Sequence, residues 1–123
     1  MVAKQQKIAV IGAGLMGHGI ALTLARAGHH IPITDPVAAA QESVADRMRQ
    51  SMQAMGIGEG DAAAALGLIK VFKTTAEAVR GADFVFEAAP EKMDLKRAIF
   101  AEIEAHAPEN CVLASNTSVM PIT

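Results

Sequence analysis

Five short apolar runs divide the chain: KIAVI at 7–11, HIPIT at 30–34, IKVFKT at 69–74, DFVFE at 83–87 and CVLAS at 111–115. Between consecutive runs lies a stretch with helical spacing rather than a tight turn, so the strands cannot pair as hairpins and must return in the same direction. Such a chain is predicted to form a parallel sheet with helices packed on both faces, each strand buried on both sides. With 123 residues, of which 51% are hydrophobic, it has one domain's worth of sequence and enough apolar area for a real core.

The intervening stretches read as follows. Leu15, Gly19, Leu22 and Ala25 or Arg26 recur at helical spacing before Gly28 stops the segment. From Pro36 to about Met55, Val37, Val44, Met48, Met52 and Met55 form an apolar stripe among charged residues. Gly56, Gly58 and Gly60 break that helix, and Asp61 is predicted to cap a short one through Ala65, so a helical hairpin follows the second strand. Thr75 is read as the cap of a short helix ending at Gly81, and Pro90 as the start of a helix with Leu95, Ile99, Phe100 and Ile103 on one face. Pro32 lacks a ladder donor, which predicts that the second strand lies at an edge or ends irregularly there.

The first strand runs directly into Gly12, Gly14 and Gly17, a G-x-G-x-x-G pattern that opens a helix. Gly12 allows a sharp turn, Gly14 lets an anion approach the backbone, and Gly17 lets the helix pack on the strand. The helix that starts near Leu15 and Met16 then points free amide donors and its positive end at a diphosphate. Asp35 stands at the end of the second strand, 18 residues beyond Gly17 and 23 beyond Gly12, where it can accept hydrogen bonds from an adenosine ribose. Together these define a Rossmann-type, doubly wound dinucleotide-binding unit. The Asp35 carboxylate repels a 2′-phosphate, and no Arg or Lys stands between Asp35 and Gln41 to neutralise it, so the cofactor is read as NAD rather than NADP.

Other classes are disfavoured. No apolar run is long enough to span a membrane. A net charge of −2, with no basic tract and no Trp or Tyr, gives no footprint for nucleic acid. The first residues, MVAKQQKIAV, lack a secretory leader's apolar stretch, so the protein is read as cytoplasmic. Cys111 is alone and is read as an inert buried strand cysteine. No metal ligands are assigned.

Taken together, IGAGLMGHGIA, AGHHIPITD, GADFVFEAAPEKMDLKRAIFAEI and LASNTSVMPIT resemble the amino-terminal, NAD-binding domain of the L-3-hydroxyacyl-CoA dehydrogenases over essentially the whole chain. The resemblance implies oxidation of the 3-hydroxyl of an acyl-CoA by hydride transfer to NAD, as part of fatty acid metabolism. It places Gly12, Gly14, Leu15, Met16 and Gly17 on the pyrophosphate, Asp35 on the ribose, and Glu91 and Lys96 at the nicotinamide end. Asn116 and Ser118 would flank the nicotinamide and the substrate oxygen. The positions of Glu87, Glu91 and Asn116 at the carboxyl ends of the fourth and fifth strands suit a ligand-binding edge. Glu91 and Lys96 equally suit a solvated helix start, and Asn116 to Ser118 a helix cap.

The family's catalytic histidine and its glutamate partner, and the helical second domain that completes the site and the usual homodimer, lie beyond the stretch matched. None of the four histidines here fits the base: His18 is inside the first helix, His29 and His30 adjoin the second strand, and His106 ends a helix. The chain is therefore expected to be inactive alone and to expose apolar surface that favours self-association. The helical hairpin matches a region that contacts coenzyme A in the family, yet residues 41–69 contain no lysine, only Arg47 and Arg49; either could meet a phosphate, but they read rather as a solvated face. The alternatives are a dehydrogenase of a free 3-hydroxy acid such as gulonate or carnitine, and a stand-alone nucleotide-binding module. From Asp35, NADH is expected to bind at least tenfold tighter than NADPH, roughly 1.4 kcal/mol; equal dissociation constants for the two would remove the assignment.

Overall fold

The computed structural model describes residues 5–89 and 92–115. In chain order the elements are β1 (Ile8–Ile11), α1 (Leu15–Arg26), β2 (Ile31–Thr34), α2 (Ala38–Ala54), α3 (Glu59–Gly67), β3 (Ile69–Val71), α4 (Thr75–Val79), β4 (Phe84–Glu87), α5 (Met93–His106) and β5 (Val112–Ser115). All five strands are parallel, in the order β3-β2-β1-β4-β5. The order reverses direction between β1 and β4, the point at which open α/β sheets bind ligands beyond their carboxyl ends. No helix of the described residues is long and apolar enough to cross a membrane.

Alternation along the strands splits the core into two layers. Ile8, Val10, Ile31 and Ile33 meet Ala21, Leu22 and Ala25 of α1, Val44, Met48 and Met52 of α2, and Ala65 of α3. Ala9, Ile11 and Val85 meet Ala78 and Val79 of α4 and Ile99 and Ile103 of α5. The predicted helical hairpin is α2 and α3, and Val44, Met48 and Met52 are its buried stripe. The sheet differs from expectation at both edges, and Lys70 and Val71 of β3 are exposed. Phe84 pairs with Ile8 and with Val112, so it lies on the α1 side, yet Phe84 is 41% and Val112 52% exposed, because no described element covers β4 and β5 there. β4 is buried on one face only, and β5 is at most half-buried there.

Local details also depart from the sequence reading. β2 is an interior strand despite Pro32, which pairs with Lys70 of β3. His30 and Thr34 bond to β1 through Ile8 N→His30 O and Gly12 N→Thr34 O, whereas Ile31 N and Ile33 O bond towards β3. By that alternation Pro32 costs the sheet one donor towards β1 while the neighbouring bonds hold the register. β3 ends at Val71, and its continuation is diverted: Thr74, not Thr75, caps α4, its Oγ1 accepting from Glu77 N at 3.1 Å and donating to Glu77 Oε1 at 3.0 Å. Gly58 rather than Asp61 stands before α3, with Asp61 in the first turn where its charge suits the helix end. α5 begins at Met93, while Pro90 lies outside the described residues. Cys111 precedes β5 and is half-buried rather than buried; burial, then the nearby Asp83 charge, raises its thiol pKa, so it stays a protonated, unreactive group.

α1 and α2 are tied by polar contacts. His18 Nε2 lies 3.2 Å from Ser51 Oγ, and Arg47 Nη1 donates to the Ala13 carbonyl at 3.1 Å. Burial, then the Arg47 charge, lowers the His18 pKa, so His18 is held neutral in this seam. The unfolded chain then takes up the proton first, and the stability conferred by neutral His18 is lost as pH falls below the ordinary imidazole value of about 6.5. His18→Gln keeps a hydrogen-bonding group without titrating. The drop in melting temperature from about pH 7.5 to about pH 5.5 is expected to be smaller in that variant than in the parent, and an equal drop would dissociate His18 from acid sensitivity.

Candidate dinucleotide-binding site

β1, β4 and β2 end side by side, and the turn after β1 is shaped by steric need. Gly12 has φ +113°, and a Cβ there would lie 2.6 Å from the Ala88 carbonyl carbon and oxygen. A Cβ on Gly17 would run into the Gly12 carbonyl. These two glycines therefore let α1 and the segment after β4 close onto one turn. Gly14 differs: it stands at the helix N-cap, and a Cβ there would meet nothing within 4 Å.

The mouth of α1 is built to receive an anion. Its N-cap offers no side-chain acceptor and its first turn carries no acid, so the positive end of the helix faces no carboxylate of its own. Asp35 closes the neighbouring side. Asp35 is 7% exposed, and its carboxylate accepts from Ala13 N at 2.6 Å and Val37 N at 2.8 Å, which fixes it between the glycine turn and the start of α2. Gln41 Nε2 reaches the Asp35 carbonyl at 2.7 Å and the Lys73 carbonyl at 3.0 Å, joining the loops beyond β2 and β3. A helix end without a side-chain cap, an open glycine and an anchored aspartate together fit a dinucleotide.

The other half of the edge is occupied by a buried polar cluster. Glu87, fully buried, receives Lys96 Nζ at 3.0 and 3.1 Å on its two oxygens, Ala89 N at 2.7 Å and Ser115 Oγ at 2.6 Å. Lys96 is 1% exposed. The structure thus brings Lys96 to the ends of β4 and β5, in an ion pair with Glu87. Glu91, Asn116 and Ser118 lie outside the described residues, as does the Leu15 side chain. Sequence reasoning did not single out Gln41, Ser51 or Ser115, and it read Arg47 as solvated. Gln41 and Ser51 lie on α2 beside its apolar stripe, so their only sequence signal was polar residues flanking buried positions.

Sheet order, glycine turn and acidic residue at the end of β2 define a dinucleotide-binding domain of the Rossmann type. The 3-hydroxyacyl-CoA dehydrogenase NAD-binding domain model matches residues 7–123, and the chain belongs to that family. NAD is its cofactor. The chain is 39% identical over 112 residues to L-carnitine dehydrogenase/betainyl-CoA thioesterase of Agrobacterium fabrum, a match covering 91% of this chain and 23% of that protein. It is 32% identical to the peroxisomal fatty acid beta-oxidation multifunctional protein of Arabidopsis thaliana, over 97% of this chain and 17% of the relative. Among solved structures, (S)-3-hydroxybutyryl-CoA dehydrogenase of Ralstonia eutropha superposes with a TM-score of 0.81 at 34% identity, covering 98% of this chain and 44% of that one. The chain spans less than half the length of each of these relatives.

Because a Cβ at residue 17 meets backbone rather than a flexible side chain, Gly17→Ala must displace either α1 or the turn. NADH affinity is expected to fall by about a hundredfold, roughly 2.7 kcal/mol, in a titration of NADH fluorescence; an unchanged dissociation constant would show that the turn does not hold the cofactor.

Proposed function

We propose that this chain is the NAD-binding part of an enzyme that oxidises the 3-hydroxyl of a 3-hydroxyacyl-CoA in fatty acid metabolism. The observation that carries the reading is the single carboxyl edge on which the glycine turn, Asp35 and the Glu87–Lys96–Ser115 cluster converge. Bound NAD supplies the hydride acceptor at C4 of its nicotinamide. The chain's own part is binding and orientation: the first turn of α1 receives the pyrophosphate, Asp35 the adenosine ribose, and Lys96 with Glu91 the nicotinamide end. Asn116 and Ser118 follow Ser115, the last residue of β5, and are assigned to the nicotinamide and to the 3-oxygen of the substrate. Proton removal from the 3-hydroxyl is assigned to a base outside these residues, and a homodimer to the complete protein.

A second reading, oxidation of a free 3-hydroxy acid, is favoured by one structural observation. Arg47 is spent on the Ala13 carbonyl and Arg49 on Asp46 at 3.3 Å, and the hairpin offers no lysine to the phosphates of coenzyme A. The L-carnitine dehydrogenase relatives support the same reading. With the complete protein, NAD reduction is expected to be at least tenfold faster per molar substrate with (S)-3-hydroxybutyryl-CoA than with L-carnitine or gulonate. The opposite ranking would establish the free acid as substrate, and turnover by these 123 residues alone would refute the placement of the base.

A further inference from the structure

Glu87 has no place in the roles assigned above, yet it is the most completely buried acid described and serves three donors. Its main chain is opposite Ile11 on β1, the residue before the glycine turn, and opposite Ser115 on β5. The chain then enters Ala88 and Ala89. Ala88 N donates to the Ile11 carbonyl at 2.8 Å, the Ala88 carbonyl closes on Gly12, and Ala89 N is held by Glu87 Oε2. The same carboxylate holds the Lys96 ammonium, and with it the first turn of α5.

We propose that Glu87 is a positioning residue of the cofactor site, one carboxylate that locks the Ala88–Ala89 buttress against the pyrophosphate turn while it fixes Lys96 and Ser115 at the opposite half of the cradle. This rests on the reading of the edge as an NAD site and adds to it the residue that couples its two halves. A buried acid with only a stability role would need a partner for its charge, which Lys96 alone provides. The additional bond to Ala89 N connects it to the backbone that touches Gly12, and hence to the shape of the turn.

The test uses the complete protein and three ligands of decreasing reach: NADH, ADP-ribose and AMP. Glu87→Gln keeps the side-chain volume but leaves one acceptor oxygen for the three donors. It is expected to weaken NADH and ADP-ribose about tenfold while AMP, seated by the Asp35 side, stays within about twofold. A second variant, E87L/K96M, replaces the buried pair with apolar side chains and is expected to recover most of the melting temperature lost in Glu87→Gln, with ADP-ribose still about tenfold weaker. ADP-ribose lacks the nicotinamide that Lys96 is assigned to, so its loss reports on the turn. Recovery of ADP-ribose affinity together with melting temperature, parent-like binding by Glu87→Gln, or an equal loss of AMP would each overturn the coupling. If the parent fails to bind NADH, the cofactor reading falls and this proposal with it; a parent that binds NADH, with variants that bind ADP-ribose unchanged, overturns the coupling alone.

Discussion

Three backbone segments meet where side chains would not fit: the turn at Gly12, the first turn of α1 at Gly17, and Ala88 after β4. Everything at the carboxyl edge depends on that closeness. It brings the N-terminus of α1 down onto the end of β1, so that the positive end of the helix opens over the sheet rather than into solvent beside it. It also places the exit of β4 against the turn, so a displacement at either is felt at the other. Interiors packed to this density do not deform smoothly, and a methyl group in the wrong place must move a whole element.

Two acids stand at strand ends on this edge and are satisfied in different ways. Asp35 is anchored by backbone amides of Ala13 and Val37, donors that exist only while the turn and the start of α2 keep their shape. Glu87 is anchored chiefly by a full opposite charge, with Ala89 N and Ser115 Oγ added. Leaving either partner of such a buried pair alone costs about 3–5 kcal/mol, whereas replacing both by apolar groups can be neutral. A buried pair at this place is therefore better explained by what it positions than by what it adds to stability.

Much of this was legible in the chain. Five apolar runs separated by helical patterns dictate a parallel sheet, and the spacing of Gly12, Gly14, Gly17 and Asp35 dictates the dinucleotide turn. Both signals are local and repeat within a short window. Most of what escaped the sequence depended on contacts made at a distance. Pro32 looked like an edge marker because the sequence does not show that an interior parallel strand sends alternate residues to different neighbours, so one missing donor is tolerated. Arg47 looked solvated because it is a charged residue among polar neighbours on α2, and only the fold brings the Ala13 carbonyl within reach of its long side chain. Thr74 and Thr75 offer the same hydroxyl to the same helix, and only the bond to Glu77 N selects the first.

The pairing of Glu87 with Lys96 was the least readable of all. Glu87 and Lys96 are nine residues apart with a strand end, a loop and a helix start between them, a separation with no periodic signature in either element. Chain direction makes the pair: β4 delivers Glu87 to the edge pointing into the α5 layer, and the first turn of α5 returns Lys96 over it, so that the ion pair joins α5 to the end of β4, where Ala88 meets the glycine turn. In a doubly wound sheet the crossover loops at the switch point are short and face each other across the reversal of strand order. A charge buried beneath one of them is therefore well placed to hold both halves of a dinucleotide site in register, and the geometry around Glu87 has that form.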